Sequence, residues 1–272
     1  GTTNLDAGIS LVIDLDGNDR YLSKGDLAQG CGNCGVGLLV DLSGNDSYGS
    51  AEVRRNYVQG AGILGVGILF DAQGNDLYFG DAQCQGCGGF GIGLLVDQAG
   101  TDEYSAHLCA QGFGTTLGLG VLVDGDGNDH YVATGKYPDV TRDRTKYLSF
   151  AQGYGLGIRD TQIQDCQPGG IGLLLDLAGK DSYEAEVFAQ GGSYWDGLGL
   201  LIDTGGDDRY KAYQYVQGMG VHLSAGGLLD YSGNDIYEAW SLAQGCGLDM
   251  SPGFLIDFQE TINISQTTNL RV

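Results

Sequence analysis

The stretch Gly91-Ile92-Gly93-Leu94-Leu95-Val96-Asp97-Gln98-Ala99-Gly100-Thr101-Asp102-Glu103-Tyr104 decides the fold, because its pattern recurs along almost the whole chain. Its second half, Asp-x-x-Gly-x-Asp-x-Tyr, begins again at Asp14, Asp41, Asp71, Asp124, Asp176, Asp203 and Asp230, and Asp257 opens an incomplete further copy. Successive leading aspartates are 27, 30, 26, 27, 52, 27, 27 and 27 residues apart. Between copies lie a variable stretch, a Gln-Gly pair, and a Gly-x-Gly step that leads into the next apolar run. A 27-residue unit made of short β-prone pieces is too small for a propeller blade of roughly 40 residues and suits one coil of a stacked solenoid.

A barrel of transmembrane hairpins is the competing architecture. The spacing from the repeat Tyr to the repeat Gln is 8 in the first copy, 11 in the second and 7 in the third. An odd change inside a paired strand would turn every later side chain to the wrong face, so that stretch must be a loop. The expectation is therefore an all-β fold, a parallel β-helix (β-solenoid) of about eight coils forming one domain over residues 1–272. Residues 132–175 are an enlarged fifth coil with two loop insertions, and 258–272 a C-terminal tail.

Composition agrees. The chain holds 50 Gly and 3 Pro in 272 residues, without the Gly-X-Y period of collagen, and its 42% hydrophobic content is too high for a disordered linker. Thirteen basic against 35 acidic residues give a formal charge of −22, which repels nucleic acid and anionic membranes and attracts cations. The apolar runs, such as Leu38-Leu39-Val40, are far below the 18 or more residues of a membrane helix.

One core ladder is legible: Leu39, Leu69, Leu95, Leu122, Leu174, Leu201, Leu228 and Leu255 stand two places before each leading Asp. Their neighbours Val40, Phe70, Val96, Val123, Leu175 and Ile202 are apolar too, although adjacent strand residues face opposite ways. Either these neighbours sit at a corner and turn back inside, or they form an outer apolar strip along the rod that marks an assembly surface. The Tyr ladder and the Gln ladder (Gln29, Gln59, Gln85, Gln111, Gln152, Gln190, Gln217 and Gln244) are expected to be structural, with rings stacking and amides bonding from coil to coil.

In-register stacking places the leading aspartates Asp14, Asp41, Asp71, Asp97, Asp124, Asp176, Asp203 and Asp230 in one file. Asp19, Asp46, Asp76, Asp102, Asp129, Asp181, Asp208 and Asp235 form a second. Carboxylates one coil apart repel by about 0.9 kcal/mol even in bulk water, and by several times that when partly buried. Divalent cations would compensate, and Ca2+ suits an oxygen-only site of carboxylates and turn carbonyls. The Gly-Asn-Asp turn resembles the Gly/Asp-rich repeats of the RTX family, which are calcium-binding parallel β-rolls; this resemblance implies Ca2+ at these aspartates. RTX units recur every nine residues, whereas this one recurs every 27. Asp14-Leu15-Asp16-Gly17-Asn18-Asp19 and Asp124-Gly125-Asp126-Gly127-Asn128-Asp129 add a third carboxylate, Asp16 or Asp126, and read as the best single sites. The metal-free alternative has each Asp capping its own turn through backbone N–H groups.

Cys31-x-x-Cys34 and Cys84-x-x-Cys87 have zinc-like spacing, but the repeat register puts Cys31 and Cys87 two coils, roughly 10 Å, apart, too far for one tetrahedral ion. Buried thiols acting as small apolar groups are expected, with Cys166 the best candidate for a loop or intermolecular disulfide because seven is an odd number. His107, His130 and His222 occupy unrelated repeat positions, and no catalytic triad is legible.

The fifth coil holds Lys136, Arg142, Arg144, Lys146 and Arg159, five of the 13 basic residues. A basic cluster beside acidic turns resembles, in layout and not in sequence motif, the pectate-lyase type of β-helix enzyme. That resemblance implies binding or cleavage of an acidic polysaccharide, against the alternative of loops salt-bridged to an acidic rod. No helical end cap is legible, and Thr2-Thr3-Asn4-Leu5 recurs as Thr267-Thr268-Asn269-Leu270. The leading expectation is a non-enzymatic, Ca2+-stabilised, extracellular or cell-surface repeat protein that assembles with copies of itself, end to end or side by side. Asn45-Asp46-Ser47 and Asn263-Ile264-Ser265 fit the N-glycosylation sequon.

Overall fold

A computed structural model describes residues 8–159, 166–258 and 263–266. The described residues contain strands and turns and no helix, so none crosses a membrane as a helix. The chain winds as a parallel β-solenoid of about nine turns, with two nine-stranded sheets and one eight-stranded sheet. The first sheet is built from the apolar runs, Ile9–Ile13 through Ile92–Asp97 to Gly253–Asp257, all parallel and in register. The second carries the Tyr segments from Arg20–Tyr21 to Asn263–Gln266, and the third the short Gly segments from Gly32–Asn33 to Gly247–Leu248. The tail expected after 258 thus contributes a strand, Asn263–Gln266, whose Ile264 pairs with Tyr237 as a ninth Tyr-position residue. The Thr-Thr-Asn-Leu recurrence lies outside the described residues.

Strand alternation assigns the two sides of the first sheet. In Val36–Asp41, Gly37, Leu39 and Asp41 are buried, while Val36, Leu38 and Val40 face out, and the later strands repeat this pattern. Inward position 37 must be Gly, because a β-carbon there would lie 2.1 Å from the carbonyl oxygen of Cys31, the residue just before the third-sheet strand Gly32–Asn33. Inside, the Leu and Tyr ladders form one continuous core in which Leu69, Leu95, Tyr78 and Tyr104 are fully buried. Successive Tyr rings stack at centroid separations of 4.7–4.9 Å and nearly parallel planes.

The corner between the second and third sheets explains the Gln-Gly pair. Gln85 adopts φ +54° and Gly86 φ +72°. A side chain on Gly86 would be strained by that φ and would also place its β-carbon 2.0 Å from the Val121 carbonyl oxygen of the next coil. The buried Gln then donates from Nε2 to a Tyr carbonyl of its own coil and to a carbonyl of the next: Gln111 bonds Tyr104 O at 3.0 Å and Val132 O at 3.1 Å. The amides bond to backbone across coils rather than to one another.

The outer neighbours do not turn back inside. Val40, Phe70, Val96, Val123, Leu175 and Ile202 stand half-buried on the outer surface of the first sheet. The fifth-coil insertion is also more ordered than a loop: Pro138–Asp139 and Asp143–Ala151 form an antiparallel hairpin, and the second of these pairs in parallel with Val187–Ala189 of the following coil.

Candidate cation sites

From Asp41 onward each leading Asp occupies the last inward position of a first-sheet strand, while Asp14 follows the end of Ile9–Ile13. In Asp41, Asp71, Asp97, Asp203 and Asp230 the Oδ1 accepts the backbone N–H two residues on, as Asp71 does from Gln73 at 3.2 Å and Asp203 from Gly205 at 3.0 Å, whereas the buried Oδ1 atoms of Asp124 and Asp176 accept no hydrogen bond. The Oδ2 accepts the phenol of the preceding coil: Tyr48 to Asp71 at 2.5 Å, Tyr78 to Asp97 at 2.6 Å, Tyr104 to Asp124 at 2.6 Å. Burial drives the Tyr78 and Tyr104 phenols well above their ordinary titration range, so they remain donors. One oxygen of those five carboxylates thus caps its own turn, and the Tyr–Asp pairing is a link that repeat spacing alone did not reveal.

The second file is different. From Asp46 onward each Oδ1 accepts the backbone N–H of the equivalent Asp one coil earlier: Asp76 from Asp46 at 2.5 Å, Asp102 from Asp76 at 2.6 Å, Asp208 from Asp181 at 2.7 Å. The Oδ2 atoms of Asp46, Asp76, Asp102, Asp129, Asp181, Asp208 and Asp235 are buried and accept no hydrogen bond. These residues are no more than 3% exposed. None of the ion pairs made by described residues involves a buried member of either file.

The two files meet. Carboxylate oxygens of Asp41, Asp46 and Asp71 lie within 4.8 Å of one another, as do those of Asp71, Asp76 and Asp97, of Asp102, Asp124 and Asp129, of Asp129, Asp176 and Asp181, and of Asp181, Asp203 and Asp208. Loss of hydration raises the Asp76 carboxyl to about 8 and Asp71 to about 7, with neighbouring carboxylates adding to the effect. Asp230 is raised to about 7, and Asp46 and Asp235 to about 6, with burial again the first cause. Asp97, Asp102, Asp124, Asp129, Asp176, Asp181, Asp203 and Asp208 shift upward for the same first reason.

The extra carboxylates do not join these triplets. Asp16 and Asp126 are exposed, and Asp16 accepts a hydrogen bond from Ser43 at 3.1 Å. Asp14 and Asp19 belong to the half-buried first turn. The clustering unit runs across coils and not along one Asp-rich loop. Outside it runs a further ladder missed in the sequence: Asn45 Oδ1 accepts the Asn75 N–H at 2.8 Å, and Asn45 itself bonds Asn18 Oδ1 at 2.8 Å. The side chain of the first sequon is thereby engaged in coil-to-coil bonding.

The fifth-coil basic residues are dispersed into local partnerships. Lys136 pairs with Asp81, Arg142 with Asp139 at 3.0 Å, and Lys146 with Glu186 at 3.3 Å. Arg142 also stacks over Phe188 and Tyr215, Lys146 over Tyr213, and Arg159 over Trp195; Arg144 is exposed. Their carboxylate partners belong to neither Asp file, so the structure does not bring the basic cluster onto the acidic triplets. Cys31, Cys34, Cys84, Cys87, Cys109 and Cys246 are free thiols, four of them buried, and Cys166 is exposed. Burial raises Cys31 and Cys109 to about 12, which keeps them protonated and inert. His107 bonds the Thr134 carbonyl at 2.6 Å, and His222 pairs with Asp249. Comparison with protein-family models, with curated proteins and with solved structures finds no match for this chain.

Proposed function

We propose that this chain is a non-catalytic structural rod, stiffened by divalent cations held in its buried Asp triplets and built for assembly or adhesion at a cell surface or outside the cell. The observation that carries this reading is the row of buried, unpartnered Oδ2 atoms on the second Asp file. Buried carboxylates with no basic partner must be neutralised by protons or by cations. Triplets of oxygens within 4.8 Å, repeating up the axis, suit a flexible oxygen-only site, and Ca2+ is the ion that such ligands favour. Extracellular calcium modules work at about 10⁻⁴–10⁻³ M, which is why the reading places the rod outside the cell.

The test is metal content and stability together. After dialysis against calcium, elemental analysis should find several ions per chain, and a chelator should lower the melting temperature until Ca2+ is restored. In chelator, the raised carboxyls make stability depend on pH. Their folded values of about 6 to about 9 lie above the ordinary 3.8, so the stabilisation is complete below about pH 4 and is lost as pH rises through 6–9. Calcium should remove that loss. A chain that holds no metal and melts identically with and without chelator at pH 8 rejects the cation reading.

A further inference from the structure

The outer face of the first sheet is the least expected surface on so acidic a molecule. Its outward positions carry Leu38, Ile68, Leu94, Val121, Leu173 and Leu200 in one column, flanked on both sides by columns of aliphatic or aromatic residues. At each coil these paired positions are apolar or Gly, and no charge interrupts them from Val36 to Leu229. Formal charge of −22 is thus excluded from one entire side of the rod.

A second observation points the same way. At the corner leading into this sheet, Leu64, Phe90, Leu117, Leu223 and Met250 are exposed by 48–86%. All five have positive φ, between 48° and 60°. A bulky side chain in the left-handed region brings its β-carbon too close to the following carbonyl, a strain that glycine would relieve. Large apolar groups stand there all the same in these five coils, and they extend the apolar sheet by a flange that the exposed Asp196, at φ 49°, interrupts beside Leu223.

We propose that this face docks against the same face of a second copy of the chain, two rods lying side by side with their first sheets in contact. Nine strands at about 4.8 Å spacing, each presenting outward residues over about 14–20 Å, make a patch of roughly 600–860 Å². That is about what each partner contributes to a stable interface, roughly 800 Å², and more than a soluble monomer leaves bare without function. The in-register repeat makes the surface self-complementary, since a two-fold related copy presents the same columns at the same spacing. Two such sheets would pack about 10 Å apart, as in a β-sandwich, leaving the acidic surfaces of both rods in water. The inference does not depend on bound metal.

Sedimentation velocity on the wild-type chain and on a Leu94→Lys, Leu173→Lys variant tests it, in calcium and in chelator. Both leucines point outward, so the variant should keep the parent's circular dichroism and melting profile as a monomer control. The expected result is a concentration-dependent dimer for the wild type and a monomer for the variant, with at least a tenfold weaker association. Wild-type chain that stays monomeric at about 100 μM overturns the proposal. So does a variant that dimerises as well as the parent, or a wild-type monomer that instead binds zwitterionic phosphatidylcholine vesicles through this face.

Discussion

The inner and outer faces of the same nine strands obey different rules. In Ile92–Asp97 the inward residues are Gly93, Leu95 and Asp97, and these identities return with few exceptions in every coil. The outward positions hold Leu, Ile, Val, Phe, Ala or Gly as the coil changes. Inside, each position meets the identical position 4.7–4.9 Å away, as the Tyr rings do, so one shape must suit itself repeatedly. Outside, only apolar character is kept. A face that keeps its apolar character in every coil fits the side-by-side contact proposed above.

A matched pair of truncations should separate the two faces by the largest margin. Leu95→Ala should cost about 2–5 kcal/mol, because a cavity opens in a fully buried ladder with stacked neighbours on both sides. Leu94→Ala, one residue away and outward, should change monomer stability by less than about 0.5 kcal/mol. Thermal or urea unfolding of both variants at low protein concentration separates the faces, and equal losses would show that the outer side is buried by something within the chain.

Asp76→Asn probes the inner face at finer grain. Asn keeps an acceptor for the Asp46 N–H while removing a charge whose Oδ2 has no hydrogen-bond partner. In chelator at pH 8 the variant should be as stable as the parent or more so, by about 1–3 kcal/mol, and in calcium it should be less stable by a similar amount. The reversal between the two buffers, read from melting curves, is the signature of a cation ligand; destabilisation in both would mark a purely structural carboxylate. Smallest of all should be Lys146→Ala. Its pair with Glu186 is partly exposed, and its loss should cost no more than about 1 kcal/mol in a melting experiment.

Most of the fold was legible because a stacked repeat multiplies a weak local signal. One Asp-x-x-Gly-x-Asp-x-Tyr turn says little, whereas eight in register dictate parallel pairing, and the Leu, Tyr and Gln ladders fell where that register placed them. The site was legible in part. Both Asp files are real columns, but the third carboxylates Asp16 and Asp126 point to solvent, since a one-residue step along a turn moves a side chain out of the file. The Tyr-to-Asp bonds, 19 to 23 residues apart within the regular coils, join side chains on different sheets of neighbouring coils, and no local pattern announces such a link.

What the sequence determined by itself was the period and the identity of every column, because in-register stacking turns linear spacing into spatial adjacency. The direction in which each column faces comes from the packing of the three sheets. A strand apolar on both sides carries no alternation from which inside and outside can be read. The burial of Leu39 and the half-exposure of Val40 are settled by the third sheet, whose glycines close over one face and leave the other uncovered.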